Sequence, residues 1–566
     1  MKIIRSGSTL IPLNDTDYGW CPSDESCYIV PGTRNSPNKC GIMNPSVKIV
    51  FFRGQVPAAV QPWHGHAFSH LFRLSETSSN RERRSFYDTF DWHAYEKKIA
   101  VFKKKHTLHT ISLDSGLETA YVELPGSPAS FFVRDIPAGQ VREQLSACSG
   151  IRAFSKIASF DVVQKTSRIV DDNAKTIGFF LEEEYSPAGK NIEKPFLSLF
   201  SIQPLKGYQD EAEEFSEILA SHGSFGDPFD FRELFRLLMN AAGRKIQGYS
   251  SKISLHLNPE TSAHESARKV LHSALSTMKA NEEGLKNNID PEFLHDYRVA
   301  VRRTRSLLKQ LNGVFSPEDT GYFLAGFSEI GKRSNNLRDC DVYLLRRDEF
   351  FNSLPDFLQQ PLDRFFTDLE ASRKRYHRQL CRYLESDECR TFFSDWGRFL
   401  ANPALPGQDT APGASLPTIE IANAGIRKAW KKVVRRGRIA CREATDDELH
   451  ELRICCKKLR YLLEFFASVY PVETVTPVIR QLKELQENLG TFVDYAVQIR
   501  FLRERLVTIV HGPESHLFAA STGGLITTLN RQKEETRALF HKAFRAFDDH
   551  ETRRRFSELL ENEALK

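Results

Sequence analysis

One basic tract occurs twice in this chain of 566 residues, and its second copy follows the first at a fixed offset of 155. His295-x-x-Arg298-x-x-x-Arg302-Arg303-x-Arg305 is matched by His450-x-x-Arg453-x-x-x-Lys457-Lys458-x-Arg460. At about 100° per residue on a helix, each His and the basic residues at +3, +7 and +10 fall within an arc of about 80°. Tyr297, Val301, Thr304, Leu308 and Leu311 form the opposing face of the first copy, and Leu452, Cys456, Leu459, Leu463 and Phe466 that of the second. Each tract is therefore expected to be an amphipathic helix with an almost purely cationic polar face. Solvated faces usually mix Lys with Glu, because opposite charges four apart support each other. A stripe of one sign repels itself and is best tolerated against an anion. The same offset aligns Glu329 with Glu484, Asp339 with Asp494, Val342 with Val497, Ala267 with Ala422 and His272 with Arg427. Repetition on this scale predicts two similar helical bundles about a pseudo-two-fold axis, each an antiparallel four-helix unit.

The net charge of +5 is small for this length, so anion binding has to come from patterning. Between Arg427 and Arg442 lie eight basic residues and no acidic one. No stretch approaches the roughly 18 uninterrupted apolar residues of a membrane span, and Met1–Asn14 lacks a signal peptide's apolar core. Ten scattered Cys fit a reducing compartment better than a disulfide framework. The expected location is cytoplasmic, with association to granules of a polyanionic ligand. Cys21, Cys27 and Cys40 match no tight zinc spacing and read as free thiols.

Residues 1–45 read as an irregular leader rich in Pro, Gly, Asn and Ser. Over 46–222, short alternating runs separated by turns predict an antiparallel β or α+β domain. Its strands are expected at Lys48–Arg53, Ser85–Thr89, Lys97–Lys103, Thr107–Leu113, Thr176–Glu182 and Phe196–Gln203, with a helix at Glu211–Leu219. A helical linker follows over 223–262, with a helix at Phe229–Gly248. Helical periodicity then runs over 263–550, as two bundles at about 263–402 and 418–550 divided by the Pro/Gly loop 403–417, with a tail at 551–566. Helices are expected at 263–286, 291–312, 317–348, 355–385, 387–400, 418–442, 446–469, 474–491, 494–510 and 514–548. The fold class is thus multidomain: an α+β unit followed by an all-α duplicated bundle.

Four ordered elements resemble the CHAD family, the conserved histidine α-helical domain. They are Leu294-His295-x-x-Arg298-Val299-x-Val301-Arg302-Arg303-x-Arg305; Asn336-Leu337-Arg338-Asp339-x-Asp341-Val342; Leu449-His450-x-x-Arg453-Ile454-x-x-Lys457-Lys458-Leu459-Arg460-Tyr461-x-x-Glu464; and Leu485-Gln486-x-x-Leu489-Gly490-x-x-x-Asp494. The resemblance implies two four-helix bundles, a basic central groove and inorganic polyphosphate as ligand. One departure stands in the second half, where Val493 occupies the position of Arg338. Upstream, Phe86-Tyr87-Asp88-Thr89-x-Asp91 and Leu205-Lys206-Gly207 resemble elements of the CYTH triphosphate-tunnel fold. That fold's catalytic signature is missing: no Glu-x-Glu-x-Lys strand opens near Val47–Arg53, and Ser201 and Gln203 stand where metal-binding glutamates would align. Without clustered carboxylates to hold a hard divalent ion, hydrolysis is expected to be poor. Lys97, Lys98, Lys103, Lys104 and Lys105 read as an edge-strand lysine cluster.

Polyphosphate offers closely spaced oxygen acceptors. Arg suits them through paired parallel bonds, and Lys adds adaptable point charge. The expected ligand contacts are His295, Arg298, Arg302, Arg303, Arg305, Arg338, Arg375, Arg382, Arg427, Lys431, His450, Arg453, Lys457, Lys458 and Arg460. Asp339, Asp341 and Asp494 are expected to orient Arg side chains rather than to catalyse. Both histidines should gain a proton more readily beside a bound polyanion. Arg373 and Lys374 read as solvated surface. No cofactor, metal or membrane partner is expected. The alternatives are a CYTH-type triphosphatase fed by the helical domain, and a nucleic-acid binder, whose aromatic stacking platforms find no counterpart within the stripes.

Overall fold

A computed structural model describes residues 51–54, 72–189, 195–221, 225–442, 444–507 and 515–561. The leader, Cys21, Cys27, Cys40 and residues 47–50 lie outside these. The chain divides into two compact units at Gly248/Tyr249.

The first unit is one curled antiparallel sheet. Its strands are β1 (Phe51–Gly54), β2 (Arg73–Thr89), β3 (Ile99–Lys104), β4 (Thr107–Ser112), β5 (Glu118–Glu123), β6 (Ser130–Phe131), β7 (Phe154–Val170), β8 (Thr176–Pro187), β9 (Leu197–Pro204) and β10 (Phe225–Phe229). The order is β10-β1-β9-β8-β7-β2-β3-β4-β5, with β6 on β7, and among the described residues β10 and β5 do not pair with each other. Helices α1 (His93–Glu96), α2 (Gln140–Ser149), α3 (Gln209–Ser221) and α4 (Phe231–Ala241) complete the unit. Neighbouring residues on a strand face opposite ways. Phe51 and Leu199 accordingly pack with Phe231, Leu234 and Phe235 of α4, while Phe52 and Phe200 pack with Phe215 and Leu219 of α3.

Several expectations need correction here. The β7 strand was not foreseen, because its core, Gln164-Lys165-Thr166-Ser167-Arg168, alternates polar with polar. Residues 225–229 form a strand on β1, with Phe52 opposite Pro228, and the following helix stops at Ala241 instead of reaching Gly248. The lysine cluster does not mark a sheet edge, since β3 is hydrogen-bonded to β2 on one side and β4 on the other.

The second unit is all-helical: α5 (Ala263–Lys286), α6 (Pro291–Gln310), α7 (Pro317–Leu345), α8 (Arg347–Asn352), α9 (Gln360–Leu384), α10 (Asp387–Ala401), α11 (Thr418–Ala440), α12 (Asp446–Phe465), α13 (Val472–Val507), α14 (Ser515–Phe547) and α15 (His550–Glu561). The starts of α5, α6, α7 and α9 each recur 155 residues later, at α11, α12, α13 and α14. Side-chain caps fix several of them. Ser262, Asp290, Ser316 and Thr445 each accept a backbone N–H of the first helical turn, with Pro following Asp290 and Ser316. The duplication is visible as reciprocal bonding. Ala263 N–H donates to Leu416 C=O at 2.8 Å, and the equivalent Thr418 N–H donates to Thr261 C=O at 2.9 Å. That exchange is the isologous pattern a two-fold axis imposes.

The anticipated apolar faces are the core: Tyr297, Val301, Thr304, Leu308, Leu311, Leu452, Cys456, Leu459, Leu463 and Phe466 are all buried. Residues 472–507 make one helix, not two. The expected boundary near 491–494 lies inside it, between the buried Leu489 and the buried Phe492 and Val493. Residues 551–561, expected in the tail at 551–566, belong to α15, held by the buried Phe556, Leu559 and Leu560. Among the described residues no helix is long and apolar enough to cross a membrane, and the seven described cysteines are free thiols.

Candidate functional site

Helices α6 and α12 carry the two cationic stripes and pack against each other. Arg302 and Lys457 occupy equivalent positions in the repeat and lie near enough for their charges to interact. The charge of Arg302 acts on Lys457, and Arg302 Nε donates to the Tyr461 hydroxyl at 3.2 Å on the same helix as Lys457. Two cations at equivalent positions of the repeat therefore repel one another where α6 packs on α12. Burial, the cations Arg453 and Arg302, and Arg460 beyond an opposing Asp494 push the Lys457 ammonium down to about 7.

A cavity of about 290 Å³ opens beside Arg302, lined by Arg298, Val301, Arg302, Arg305, Ser328, Gly331, Lys332 and Asn335. Four of these side chains are cationic and none is a carboxylate. Helix α7 holds Arg298 in place by neutral acceptors alone: the Gly331 carbonyl at 3.0 Å, the Ser334 hydroxyl, and Asn335 Oδ1 at 2.8 Å. Burial first, then Arg302, Arg338 and Arg305 against an opposing Asp339, lower the Arg298 guanidinium to about 10. Gly331 also lies close to the stripe, since a Cβ there would come within 3.2 Å of Arg305 Nη1. The hydrogen bonds of Arg298 thus go to neutral groups, while the Asp339 carboxylate acts on it through charge. The equivalent Arg453 is oriented by a carboxylate, donating from Nη2 to Asp494 at 3.1 Å. His450 is exposed beside it, and burial, Arg453, Lys457 and Arg500 lower its imidazole pKa.

Not every basic residue of the tracts joins this groove. Arg303 and Lys458 stand at +8, about 100° around the helix from their +7 neighbours. Arg303 donates to the Ser251 carbonyl and lies 3.6 Å from Glu464 of α12, so it ties segments together. Lys458 faces Lys309, Lys432 and Arg436 instead. Arg338 of α7 is half-buried against the start of α6, 3.5 Å from the Pro291 carbonyl and 3.7 Å from Glu292, and its counterpart Val493 is core. Arg375 and Arg382 are exposed on α9, and Arg427 and Lys431 on α11; none lines the cavity. Arg460 sits 3.2 Å from Glu464.

Asp341 is buried and accepts from Arg373 Nε at 2.5 Å, while Arg373 also donates to Asn288 at 2.8 Å. Arg373 is therefore no solvated residue: Asp341 orients it, not a stripe arginine. Ser328, Lys332 and Asn335 escaped the sequence reading. Their signal was available, since they recur at three- and four-residue steps on the face of α7 that meets α6. Glu292, His295 and Asp296 bring donor atoms within 4.8 Å of one another and could hold a cation. These groups already have protein partners: Asp296 accepts the Tyr249 hydroxyl at 2.9 Å and Glu292 lies against Arg338.

In the first unit, the tunnel-like residues satisfy each other. Arg84 on β2 donates to Glu82 and Glu183, each at 2.7 Å, to Tyr185 at 2.8 Å and to Gln164 at 2.9 Å. Asp88 of the Tyr-Asp-Thr element accepts the N–H groups of Thr89, Ala94 and Tyr95, and Asp91 binds Arg152 at 2.9 Å. That element caps α1. Ser201 and Gln203 lie on β9, beside β8.

Residues 269–503 match the family model described as the CHAD domain. Two proteins of Mycobacterium tuberculosis, from strains CDC 1551 / Oshkosh and ATCC 25618 / H37Rv and each described as uncharacterized, are 26% identical over 235 residues. That match spans 41% of this chain and 42% of either relative, so less than half of each relative's length is covered. The CHAD domain crystal structure from the plant Ricinus communis is similar at 22% identity and a TM-score of 0.44, over 52% of this chain and 95% of that one. PptA from Streptomyces chartreusis is similar at 13% identity and a TM-score of 0.40, over 50% of this chain and 100% of that one. The helical unit, with its duplicated histidine-arginine helices, contains a CHAD domain at residues 269–503.

Proposed function

We propose that the helical unit binds inorganic polyphosphate in the groove between α6 and α12, and that it holds the chain without cleaving it. The observation that carries this reading is the charge interaction of Arg302 with Lys457 beside a cavity of four cations and no carboxylate. Such an arrangement is self-repulsive until an anion enters. Rows of cations about one helical turn apart, roughly 5 Å, suit successive phosphates better than one small metabolite. Arg298, Arg302 and Arg305 would form one wall, and Arg453, Lys457 and Arg460 the other. The CHAD resemblance implies the same ligand. Calorimetric titration with length-fractionated polyphosphate tests it: Arg298→Ala/Arg453→Ala should bind at least tenfold more weakly, each lost charged contact being worth about 1.5–3 kcal/mol. Retained affinity in a folded double variant would contradict the groove.

A triphosphatase reading is less well supported, because the acids beside Arg84 are engaged with it and Ser201 and Gln203 carry no charge. For the nucleic-acid reading, aromatic platforms are lacking on the described groove lining: Tyr297 is buried and Tyr461 is engaged by Arg302. Polyphosphate should displace labelled RNA at far lower phosphate concentration than RNA displaces polyphosphate.

A further inference from the structure

The two halves of the repeat differ where the groove ends. The α6 stripe continues through Arg298, Arg302 and Arg305 to Lys309, and the α12 stripe through Arg453, Lys457 and Arg460 to Glu464. The duplication places Lys309 and Glu464 at equivalent positions with opposite charge. Glu464 is consumed by Arg303 at 3.6 Å and Arg460 at 3.2 Å. Lys309 instead faces Lys458, the counterpart of Arg303. Gln310 Nε2 donates to the Lys458 carbonyl at 3.3 Å, which fixes the end of α6 against the middle of α12. Lys458 in turn faces Lys432 of α11.

From Lys432 the positive charge runs along α11. Lys428, Lys431, Lys432 and Arg435 recur at three- and four-residue steps, so they share one helix face, and all four are exposed. Nearby Arg436 and Arg438 are paired with Glu451 and Asp548. Among the described residues, no carboxylate lies within ion-pair distance of the four stripe residues. On α5 the equivalent positions hold Ser273, Ser276, Thr277 and Ala280. One copy of the repeat thus carries a cationic face where the other is neutral, so the stripe is not a by-product of helix composition. No exposed aromatic interrupts it, because Trp430 is stacked on Phe556 with ring centroids 4.8 Å apart.

We propose that the exposed face of α11 is a second, external binding surface for a long polyphosphate, which leaves the groove past Lys309 and Lys458 and only on the side of the second bundle. This rests on the polyphosphate reading of the groove. A short chain would fill the groove alone, whereas a long one would add the contacts of Lys428, Lys432 and Arg435.

The test compares short and long polyphosphate on the full chain, with Lys428→Ser/Lys432→Thr/Arg435→Ala giving three of the four stripe positions the residues of α5. Long-chain affinity should fall roughly tenfold or more, and the slope of log K against log salt should lessen by about 2–3. Short-chain affinity should stay within about twofold of wild type. Lys309→Glu should likewise weaken long chains more than short ones; both variants alter exposed residues, and thermal melts report their folding. Equal loss for both lengths, or no loss for either, overturns the proposal. A variant that loses duplex RNA binding while keeping long-chain polyphosphate also overturns it, by assigning α11 to nucleic acid. Failure of the wild type to bind short polyphosphate would instead overturn the groove reading beneath it.

Discussion

Polyphosphate binding should draw a proton onto Lys457. In the free protein its ammonium is pushed down to about 7 by burial and by Arg453, Arg302 and Arg460, so it is largely neutral at pH 8. A polyanion replaces that repulsion with attraction and returns the pKa toward the ordinary lysine range. One proton is then linked to binding. Affinity should fall about tenfold between pH 6 and pH 8, with uptake of close to one proton at pH 8 and little at pH 6. Calorimetry in buffers of different ionisation enthalpy reads that uptake directly. Long chains keep the titrating terminal phosphates a small part of the signal. Lys457→Arg should abolish the uptake at pH 8 while retaining affinity. His450, lowered from its ordinary value, contributes only at the acidic end. The stability effect has the opposite sign. Because the folded pKa lies below the unfolded one, Lys457 lowers the stability of the ligand-free protein progressively as pH drops from the unfolded lysine range to about 7; the cost is full below that and is relieved as pH rises above it. No uptake at pH 8, or full uptake persisting in Lys457→Arg, would refute the reasoning.

Other substitutions separate holding the fold from holding the ligand. Arg303→Ala removes the tie to Ser251 and Glu464 and should cost about 1–3 kcal/mol in urea unfolding, while short-chain affinity changes far less than in Arg302→Ala. Gly437→Ala would place a Cβ into the Phe544 ring, which should lower stability by about 1–3 kcal/mol, read as a shifted thermal midpoint. Incubation with tripolyphosphate and Mg²⁺ or Mn²⁺ should release little phosphate, and robust turnover would show that the first unit is an enzyme.

The helical unit was legible because its signals are periodic and local. Ser262, Asp290-Pro291, Ser316-Pro317 and Thr445 announce helix starts, and the duplicated spacing ties both halves together. The apolar faces followed from the same periodicity. Charge alone was a poorer guide to contact. Arg303 and Lys458 share the tract but point about 100° away from the stripe, and the Asp341–Arg373 pair joins residues far apart in sequence. The sheet was harder to read, since β2 and β7 carry a buried polar network around Arg84 where a strand is expected to alternate apolar with polar. The three- and four-residue spacing of Ser328, Lys332 and Asn335 marked a shared face of α7, but that this face lines a cavity with α6 came from the packing.

The central claim is that the two stripes are walls of one groove. The most direct measurement is the stoichiometry of a short, length-fractionated polyphosphate, taken by calorimetry for wild type, Arg302→Ala and Lys457→Ala. One groove predicts a single site per chain in wild type, weakened by either variant, with the two changes coupled in the double variant. Two independent sites, each abolished by one substitution and untouched by the other, would contradict it.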